Sequence, residues 1–308
     1  MIRLFLLAVA SLVSAPSSPV HGDEPDPYKE PAFKGLFVSG RRDDQAPGKP
    51  FVHLSVGGET ATDDLFKLFV RYPELRSLSV SGPKVTGSEI KQLVELKNLD
   101  RLSLGFTGVT DENLKELTKL KGLKHLSLLN TKITDKGMKV LLDLPDLETL
   151  EVAQLQHVSA GAFKDLAALK KLRHIYVGNS SADDETMKAF ATLPELRSLT
   201  INGTSVTEAG YAHIAKMPKL ERLQINYGVT EKELKLIGGI DTLRQLDLFG
   251  ARVTPEQILA MKNADKLTYL HVSTFPSEIK DEKAAIKKIQ DGLPKCKVNS
   301  FFRIGFSD

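Results

Sequence analysis

The chain has 308 residues, of which 41% are hydrophobic and 26% charged, and its net charge is only +3. Lysines and arginines alternate with acidic residues along the whole sequence, which argues against the basic stripe of a nucleic-acid-binding protein. A single cysteine, Cys296, excludes an internal disulfide and therefore a cysteine-rich capping domain.

Residues 1–22 have the pattern of a secretory signal peptide. Arg3 precedes an apolar run from Leu4 to Val13, and small residues lead to Gly22. A run of about ten residues is too short to cross a bilayer, which requires about 20. We predict cleavage after Gly22, export to the periplasm, cell envelope or exterior, and no stable membrane insertion once the signal is removed. Cleavage after Ala15 and a short membrane anchor are the competing interpretations.

Residues 23–50 are predicted to form an N-terminal segment and cap. Phe33, Leu36 and Val38 have the spacing of the strands that follow in the sequence. The polar stretch from Ser39 to Pro50 is predicted to be a loop.

A leucine recurs at nearly fixed spacing through residues 51–276. The steps are 24 residues long, except for one of 25 and one of 23, and the leucines are Leu75, Leu99, Leu123, Leu147, Leu172, Leu196, Leu220, Leu243 and Leu267. A period in this range is typical of a solenoid, in which each unit buries its apolar face on its neighbours.

Each unit begins with the alternation of a strand and continues with the three-residue spacing of a helix. We predict ten strands, starting at residues 51, 75, 99, 123, 147, 172, 196, 220, 243 and 267. Three pairs have the spacing of a helix capping box: Thr86 with Glu89, Thr230 with Glu233 and Thr254 with Gln257. Pro255 has the position of a first helical residue. The equivalent cap positions hold Thr110, Thr134, Ser159, Asp183 and Thr207.

Segments 108–111, 131–135 and 203–207 resemble the leucine-rich repeat family. The resemblance is to the variant with a G-T-x-V-T-D turn, found in exported bacterial repeat proteins and in F-box proteins. It implies an α/β solenoid shaped as a horseshoe, with a parallel sheet on the concave face and short helices on the convex face. The asparagine or cysteine expected in each loop is replaced by hydroxyl residues, whose side chains we expect to make the loop hydrogen bonds: Thr107, Thr131, Ser180 and Thr204.

Residues 277–308 are predicted to be a C-terminal cap made of a helix and a strand. A helix over 277–291 would have apolar residues along one face and lysines along the other, and Gly292 and Pro294 would end it. The strand is predicted from Val298 to Ile304.

Parallel strands align equivalent repeat positions, so two columns of side chains should face solvent on the concave side. In the early repeats the second column consists of serines, whereas the later repeats contain tyrosine, arginine and amide side chains. Tyrosine and arginine often anchor protein interfaces, and mixed aromatic and polar surfaces also suit carbohydrate. We therefore predict binding of a protein ligand, with carbohydrate as a second class, by His174, Tyr176, Arg222, Gln224, Tyr227, Gln245, Asp247, Phe249, Tyr269 and His271.

No enzyme signature is found in the sequence. A Gly-x-Ser-x-Gly elbow, a phosphate-binding glycine loop, His-Glu-x-x-His and paired cysteines are all missing. Asp247 and His271 should be neighbours on adjacent strands, where they could form an acid/base or metal-binding pair. We predict no catalysis, no cofactor and no metal, and the competing hypothesis is an enzyme that uses this pair.

Two further biological roles are open. The protein could be an architectural or self-associating component of the cell envelope. The resemblance of the repeats to those of F-box proteins implies a further alternative, an F-box-like substrate receptor, which is disfavoured by the export signal and by the lack of an F-box segment ahead of Phe51.

The residues one position after each repeat leucine form a third column, which begins at Arg76 and Asp100 and alternates in charge. We predict that its side chains form ion pairs with one another and have a structural role.

Overall fold

The computed structural model of the protein describes residues 24–226 and 228–300. The predicted signal peptide, Tyr227 and the end of the predicted last strand lie outside the described residues. Within them, each repeat forms a short strand, a loop and a short helix, and the repeats stack into an α/β solenoid. The predicted fold class is confirmed.

The strands form one twelve-stranded sheet in chain order. β1 is antiparallel to β2, and every later pair is parallel. The strands are β1 Phe37–Arg42, β2 Phe51–Gly57, β3 Ser77–Ser81, β4 Arg101–Ser103, β5 His125–Ser127, β6 Thr149–Glu151, β7 His174–Tyr176, β8 Ser198–Thr200, β9 Arg222–Asn226, β10 Gln245–Phe249, β11 Tyr269–Val272 and β12 Lys297–Asn299.

The α-helices pack side by side on the opposite face of the sheet, each against the helix of the next repeat. They are α1 Asp64–Phe69, α2 Asp111–Leu117, α3 Asp135–Val140, α4 Ala160–Asp165, α5 Asp184–Phe190, α6 Glu208–Ile214, α7 Glu231–Gly238, α8 Pro255–Leu259 and α9 Glu282–Gly292. In the repeat between α1 and α2, a 3-10 helix at Ile90–Glu95 takes the place of an α-helix. Because neighbouring helices lie about 8–10 Å apart and strands only about 4.8 Å, stacking makes the sheet the concave face.

The repeat leucines lie in the core, but most strands begin two residues later than predicted. Leu99, Leu123 and Leu147 are at most 2% exposed. The N–H of each leucine donates to the carbonyl three residues earlier, at 3.1 to 3.2 Å, and so closes the turn that precedes the strand. The leucine therefore belongs to the turn, and sheet pairing starts after it.

The N-terminal segment ends the sheet with an antiparallel strand. The prediction of a loop from Ser39 is wrong as far as Arg42, because β1 pairs along the length of β2 and its polar side chains can face solvent. Phe33 is buried with its ring 6.1 Å from that of Phe69. Tyr28 covers the outer edge of β1, where its hydroxyl accepts a hydrogen bond from the N–H of Gly40 at 2.9 Å.

At the other end, α9 packs against the last repeat helix and β12. The helix begins five residues later than predicted, because Asp281 accepts a hydrogen bond from the N–H of Ala284 at 2.9 Å and acts as its N-cap. Gly292 is its last residue. β12 pairs with β11 in parallel and contains the first residues of the predicted final strand.

In the eight repeats that follow the first, the backbone N–H of the cap position is satisfied in one of two ways. In four repeats the acceptor is a side chain three residues later in the same repeat, and the pairs are Thr110–Asn113, Asp183–Thr186, Thr230–Glu233 and Thr254–Gln257. In four others the acceptor is an aspartate of the preceding repeat, and the pairs are Thr86–Asp63, Thr134–Asp111, Ser159–Asp135 and Thr207–Asp184. We call each of the latter pairs an aspartate clamp.

The capping boxes predicted at Thr230 and Thr254 are confirmed. The box predicted at Thr86 with Glu89 is wrong, because Thr86 bonds to Asp63 and the following residues form the 3-10 helix. The loop hydroxyls make the expected hydrogen bonds, each to the carbonyl three residues earlier: Thr107 to Leu104, Thr131 to Leu128, Ser180 to Val177 and Thr204 to Ile201.

Among residues 24–226 and 228–300, no helix combines the length and apolarity needed to cross a membrane.

Candidate functional site

Strand register aligns two columns of side chains on the concave face, as predicted. The first column runs through His53, Ser77, Arg101, His125, Thr149, His174, Ser198, Arg222, Gln245, Tyr269 and Lys297. The second runs through Ser55, Ser79, Ser103, Ser127, Glu151, Tyr176, Thr200, Gln224, Asp247, His271 and Asn299. The intervening residue of each strand, such as Leu150 or Ile175, is buried in the core and fixes this alternation.

A depression of about 330 Å³ lies in the middle of the face. Its polar lining is Thr149, Glu151, His174, Tyr176, Ser198, Thr200 and Gln224. Gly178 makes room for the tyrosine ring, because a Cβ at that residue would lie 2.5 Å from Cε2 of Tyr176. The half-buried ring therefore forms one wall of the depression.

Arg222 lies beside Ser198 and Gln245 in the register and is exposed. It makes no ion pair with any acid in the part of the chain that the structure describes. Burial lowers the pKa of His174, and Arg222, Arg173 and Arg197 lower it further. His174 is therefore neutral at pH 7 and offers one ring donor and one acceptor to a ligand.

A second cluster lies on β10 and β11, nearer the C-terminal end. Nδ1 of His271 lies 3.1 Å from Oδ1 of Asp247, so the predicted neighbour pair is hydrogen-bonded. The column pattern predicts a solvent-facing His271, but this residue is only 6% exposed. The ring of Phe249, centred 6.1 Å from the imidazole, and Asn299 on β12 lie beside it.

Tyr269 is held in place from β12, because Nδ2 of Asn299 donates to the tyrosine hydroxyl at 3.2 Å. Phe249 remains 42% exposed at the end of β10. The second cluster thus combines an exposed phenyl ring, a tyrosine held by Asn299, and a buried histidine hydrogen-bonded to a half-buried aspartate.

The structure does not bring all the predicted residues together. β7 and β10 are three strands apart, which separates Tyr176 from Asp247 by about 14 Å. β9 lies between the two clusters: Gln224 lines the depression and is also the register partner of Asp247. Tyr227 lies outside the described residues. One elongated surface, not a single pocket, therefore contains the described candidates.

Several residues of this surface are absent from the predicted site. Glu151 lines the central depression and also a second one of about 270 Å³, which includes Arg101 and His125. The sequence contains a signal for it, since Glu151 interrupts the run of serines in its column. Lys297 and Asn299 extend the columns by one strand, and the polar–apolar–polar pattern at 297–299 indicates this.

Most of the alternating charged column forms ion pairs, as predicted. Glu148 lies 3.9 Å from Lys124 and 3.8 Å from Arg173, and Arg197 pairs with Glu221. Three members depart from the pattern: Arg76 pairs with Asp43 and Asp100 with Arg101, both outside the column, and the Arg244 guanidinium donates to the carbonyls of residues 241 and 243. Most charges of this column are thus neutralised within the protein.

Among residues 24–226 and 228–300, no group of three or more histidine, cysteine, aspartate or glutamate side chains is arranged to hold a metal ion. Cys296 is buried, and burial raises the pKa of its thiol to about 11, so it is protonated at pH 7.

Comparisons with known proteins give the following results. Residues 54–300 match a family model described as a leucine-rich repeat region. Among solved structures, the chain is similar to internalin C2 of Listeria monocytogenes, with 20% identity and a TM-score of 0.49 over 65% of this chain and 81% of that one. It is also similar to the internalin InlF of the same species, with 17% identity and a TM-score of 0.44 over 85% of this chain and 92% of that one. No curated protein sequence matches the chain.

Proposed function

The chain belongs to the leucine-rich repeat family, and we propose that it is an exported, non-catalytic scaffold that binds a protein ligand through its concave face. Export is supported by the signal-peptide pattern of residues 1–22. The proposed contact surface comprises His174, Tyr176, Arg222, Gln224, Gln245, Asp247, Phe249, Tyr269 and His271, together with Tyr227 from the sequence pattern.

The observation that carries this proposal is the contrast between the column that pairs with itself and the surface beside it. Charges at Glu148 and Glu221 are neutralised within the protein, whereas the exposed Arg222 guanidinium has no acidic partner among the described residues. An unpaired arginine next to half-buried tyrosines is the composition that usually supplies most of the binding energy in protein interfaces.

The fixed positions of two tyrosines support the same function. The lack of a side chain at Gly178 leaves room for the Tyr176 ring to lie against the backbone, and the amide of Asn299 holds Tyr269 by a hydrogen bond. Contacts that are ordered before binding lose less conformational entropy when the ligand arrives. The surface is therefore suited to a folded partner that makes contacts across several strands.

A pull-down tests the proposal. Mature protein, beginning at Asp23, is immobilised and exposed to an envelope extract from its source, in parallel with the triple variant Tyr176→Ala, Arg222→Ala, Tyr269→Ala. The matched control on the same face is Ser79→Ala, Arg101→Ala, His125→Ala. We expect a protein that the parent and the control capture and the first variant does not. Equal capture by all three would contradict the proposed surface.

Light scattering on the same samples separates ligand binding from an architectural role. Large oligomers at micromolar concentration that persist in the Tyr176, Arg222 and Tyr269 triple variant would favour self-association over ligand binding. Thermal unfolding of each variant is needed as a folding check, because Tyr269→Ala also removes the acceptor for Asn299.

A further inference from the structure

A cavity of about 650 Å³ lies at the edge of the solenoid where the early strands end. It is formed by the loops that follow β2 to β6, and none of its lining residues belongs to the two concave columns. Its volume is within the range of about 300–1,000 Å³ that is usual for small-molecule sites. We call it the loop-edge cavity.

Phe106 lines this cavity with a phenyl ring that is 52% exposed. Its backbone is left-handed, with φ at 59°, and the equivalent loop positions of later repeats hold Asn130, Gln154, Asn179 and Gly203 at φ between 50° and 64°. Asparagine and glycine suit this conformation, whereas a bulky side chain is disfavoured. The core here is filled by Leu104 and Val109, both fully buried. The exposed ring therefore serves neither the turn nor the core.

Polar side chains surround the ring without partners of their own. Five of them line the cavity, are exposed, and make no side-chain hydrogen bond or ion pair with another residue of the described chain: Glu59, Asn130, Lys132, Gln156 and His157. Elsewhere on the surface many charges pair, for example Lys115 with Glu112 at 2.7 Å. The loop-edge cavity thus combines two exposed apolar rings, Phe106 and Pro83, with uncommitted donors and acceptors.

We propose that the loop-edge cavity binds an oligosaccharide, with one sugar ring stacked on Phe106. A pyranose presents C–H groups on its face and hydroxyls at its rim, and the negative face of a phenyl ring attracts such C–H groups. The amides of Asn130 and Gln156 both donate and accept, as do sugar hydroxyls, while Glu59 accepts and Lys132 donates.

The observations favour a saccharide over a protein at this place. The apolar centre of a protein interface normally contains several anchors that become desolvated together. Here the two exposed apolar rings, those of Phe106 and Pro83, are accompanied by five exposed polar side chains, a mixed lining that suits a ligand with both C–H faces and hydroxyl groups. This site is separate from the concave surface and does not depend on the function proposed for that surface.

The decisive variant is Phe106→Asn. It introduces the residue that Asn130 and Asn179 provide at the equivalent left-handed positions, so the fold is expected to be kept. Mature protein is applied to a printed glycan array and then titrated calorimetrically with the β-1,4-linked tetrasaccharides of glucose and of N-acetylglucosamine. We expect binding of at least one printed or titrated saccharide, a loss of about tenfold or more in Phe106→Asn, and a smaller loss in Gln156→Ala.

The Tyr176, Arg222 and Tyr269 triple variant is the matched control, and it should bind the saccharide as the parent does. Failure of every array and titration probe to bind would overturn the proposal, as would binding that Phe106→Asn leaves unchanged. Loss of a captured protein in Phe106→Asn, without any saccharide binding, would assign the cavity to a protein ligand and equally overturn it.

Discussion

Asp111 occupies the space that a side chain at residue 137 would need. A Cβ on Gly137 would lie 2.3 Å from Oδ1 of Asp111. That oxygen accepts from the N–H of Thr134 at 2.8 Å, and the second carboxylate oxygen accepts from the Thr134 hydroxyl at 2.7 Å. Asp184 has the same relationship to Gly210, at 2.4 Å. In these two clamps the residue three positions after the held cap is therefore a glycine, whereas the capping boxes have a polar side chain at that position.

Removing a clamp should destabilise the protein measurably. Asp111→Ala leaves the N–H of Thr134 without its acceptor, and we expect a loss of about 1–2 kcal/mol in the free energy of unfolding. Urea denaturation followed by circular dichroism measures it. The control is Glu112→Ala, which removes an exposed pair with Lys115 and should cost less than about 0.5 kcal/mol. Equal losses in the two variants would show that the clamp has no special role.

Gly137→Ala tests the steric side of the same relationship. In the parent, the new methyl group displaces the Asp111 carboxylate, and we expect a loss of about 1–3 kcal/mol. In a protein that already contains Asp111→Ala, the new methyl group no longer clashes with a carboxylate. Its remaining close contact is with Ile133, and the higher helix propensity of alanine relative to glycine offsets the cost of that contact. The double-mutant cycle should therefore give a coupling energy of about 1–2 kcal/mol. Additive losses would contradict the clamp geometry.

Stability should fall as the pH is lowered from about 7.5 to about 5.5. Burial is the largest cause that lowers the pKa of His53, His125 and His174, and neighbouring arginines lower it further. The unfolded chain, with histidine near its usual pKa of about 6.5, then binds protons more readily than the folded one. The contribution of these residues is therefore present above about pH 6.5 and is lost as the pH falls through the folded pKa values.

Thermal unfolding at several pH values measures this dependence. The double variant His125→Gln, His174→Gln should show a flatter decline than the parent between about pH 7.5 and about pH 5.5. Carboxylates with lowered pKa, such as Asp63 and Asp135, stay ionised in this window and do not contribute to the slope. Parallel curves for parent and double variant would refute the assignment to the concave histidines.

Much of the scaffold could be predicted from the chain because its determinants are local and repeated. The leucine spacing identifies which residues are buried, and Thr230 with Glu233 indicates a capping box within one repeat. The aspartate clamps could not be predicted because they join residues about 24 positions apart, whose contact depends on how successive repeats stack. For the same reason the predicted strand starts are misplaced, since Leu99 closes a turn before sheet pairing begins.

The candidate surface was predictable only in part. Register follows from the repeat, so the predicted columns are correct, and the contact between Asp247 and His271 is the expected one. Burial of His271 depends on Phe249 and on β12, whose pairing has no leucine signal. The central depression depends on Gly178 next to Tyr176, a relation that spacing alone does not reveal.

The most direct test of the account is the dissociation constant of the captured protein ligand, measured by biolayer interferometry for three forms of the mature chain. Binding through the later half of the concave face predicts that the Tyr176, Arg222 and Tyr269 triple variant weakens affinity about 100-fold or more, while the Ser79, Arg101 and His125 variant changes it less than about threefold. Equal affinities in all three forms, or a larger loss in the second variant, would contradict it.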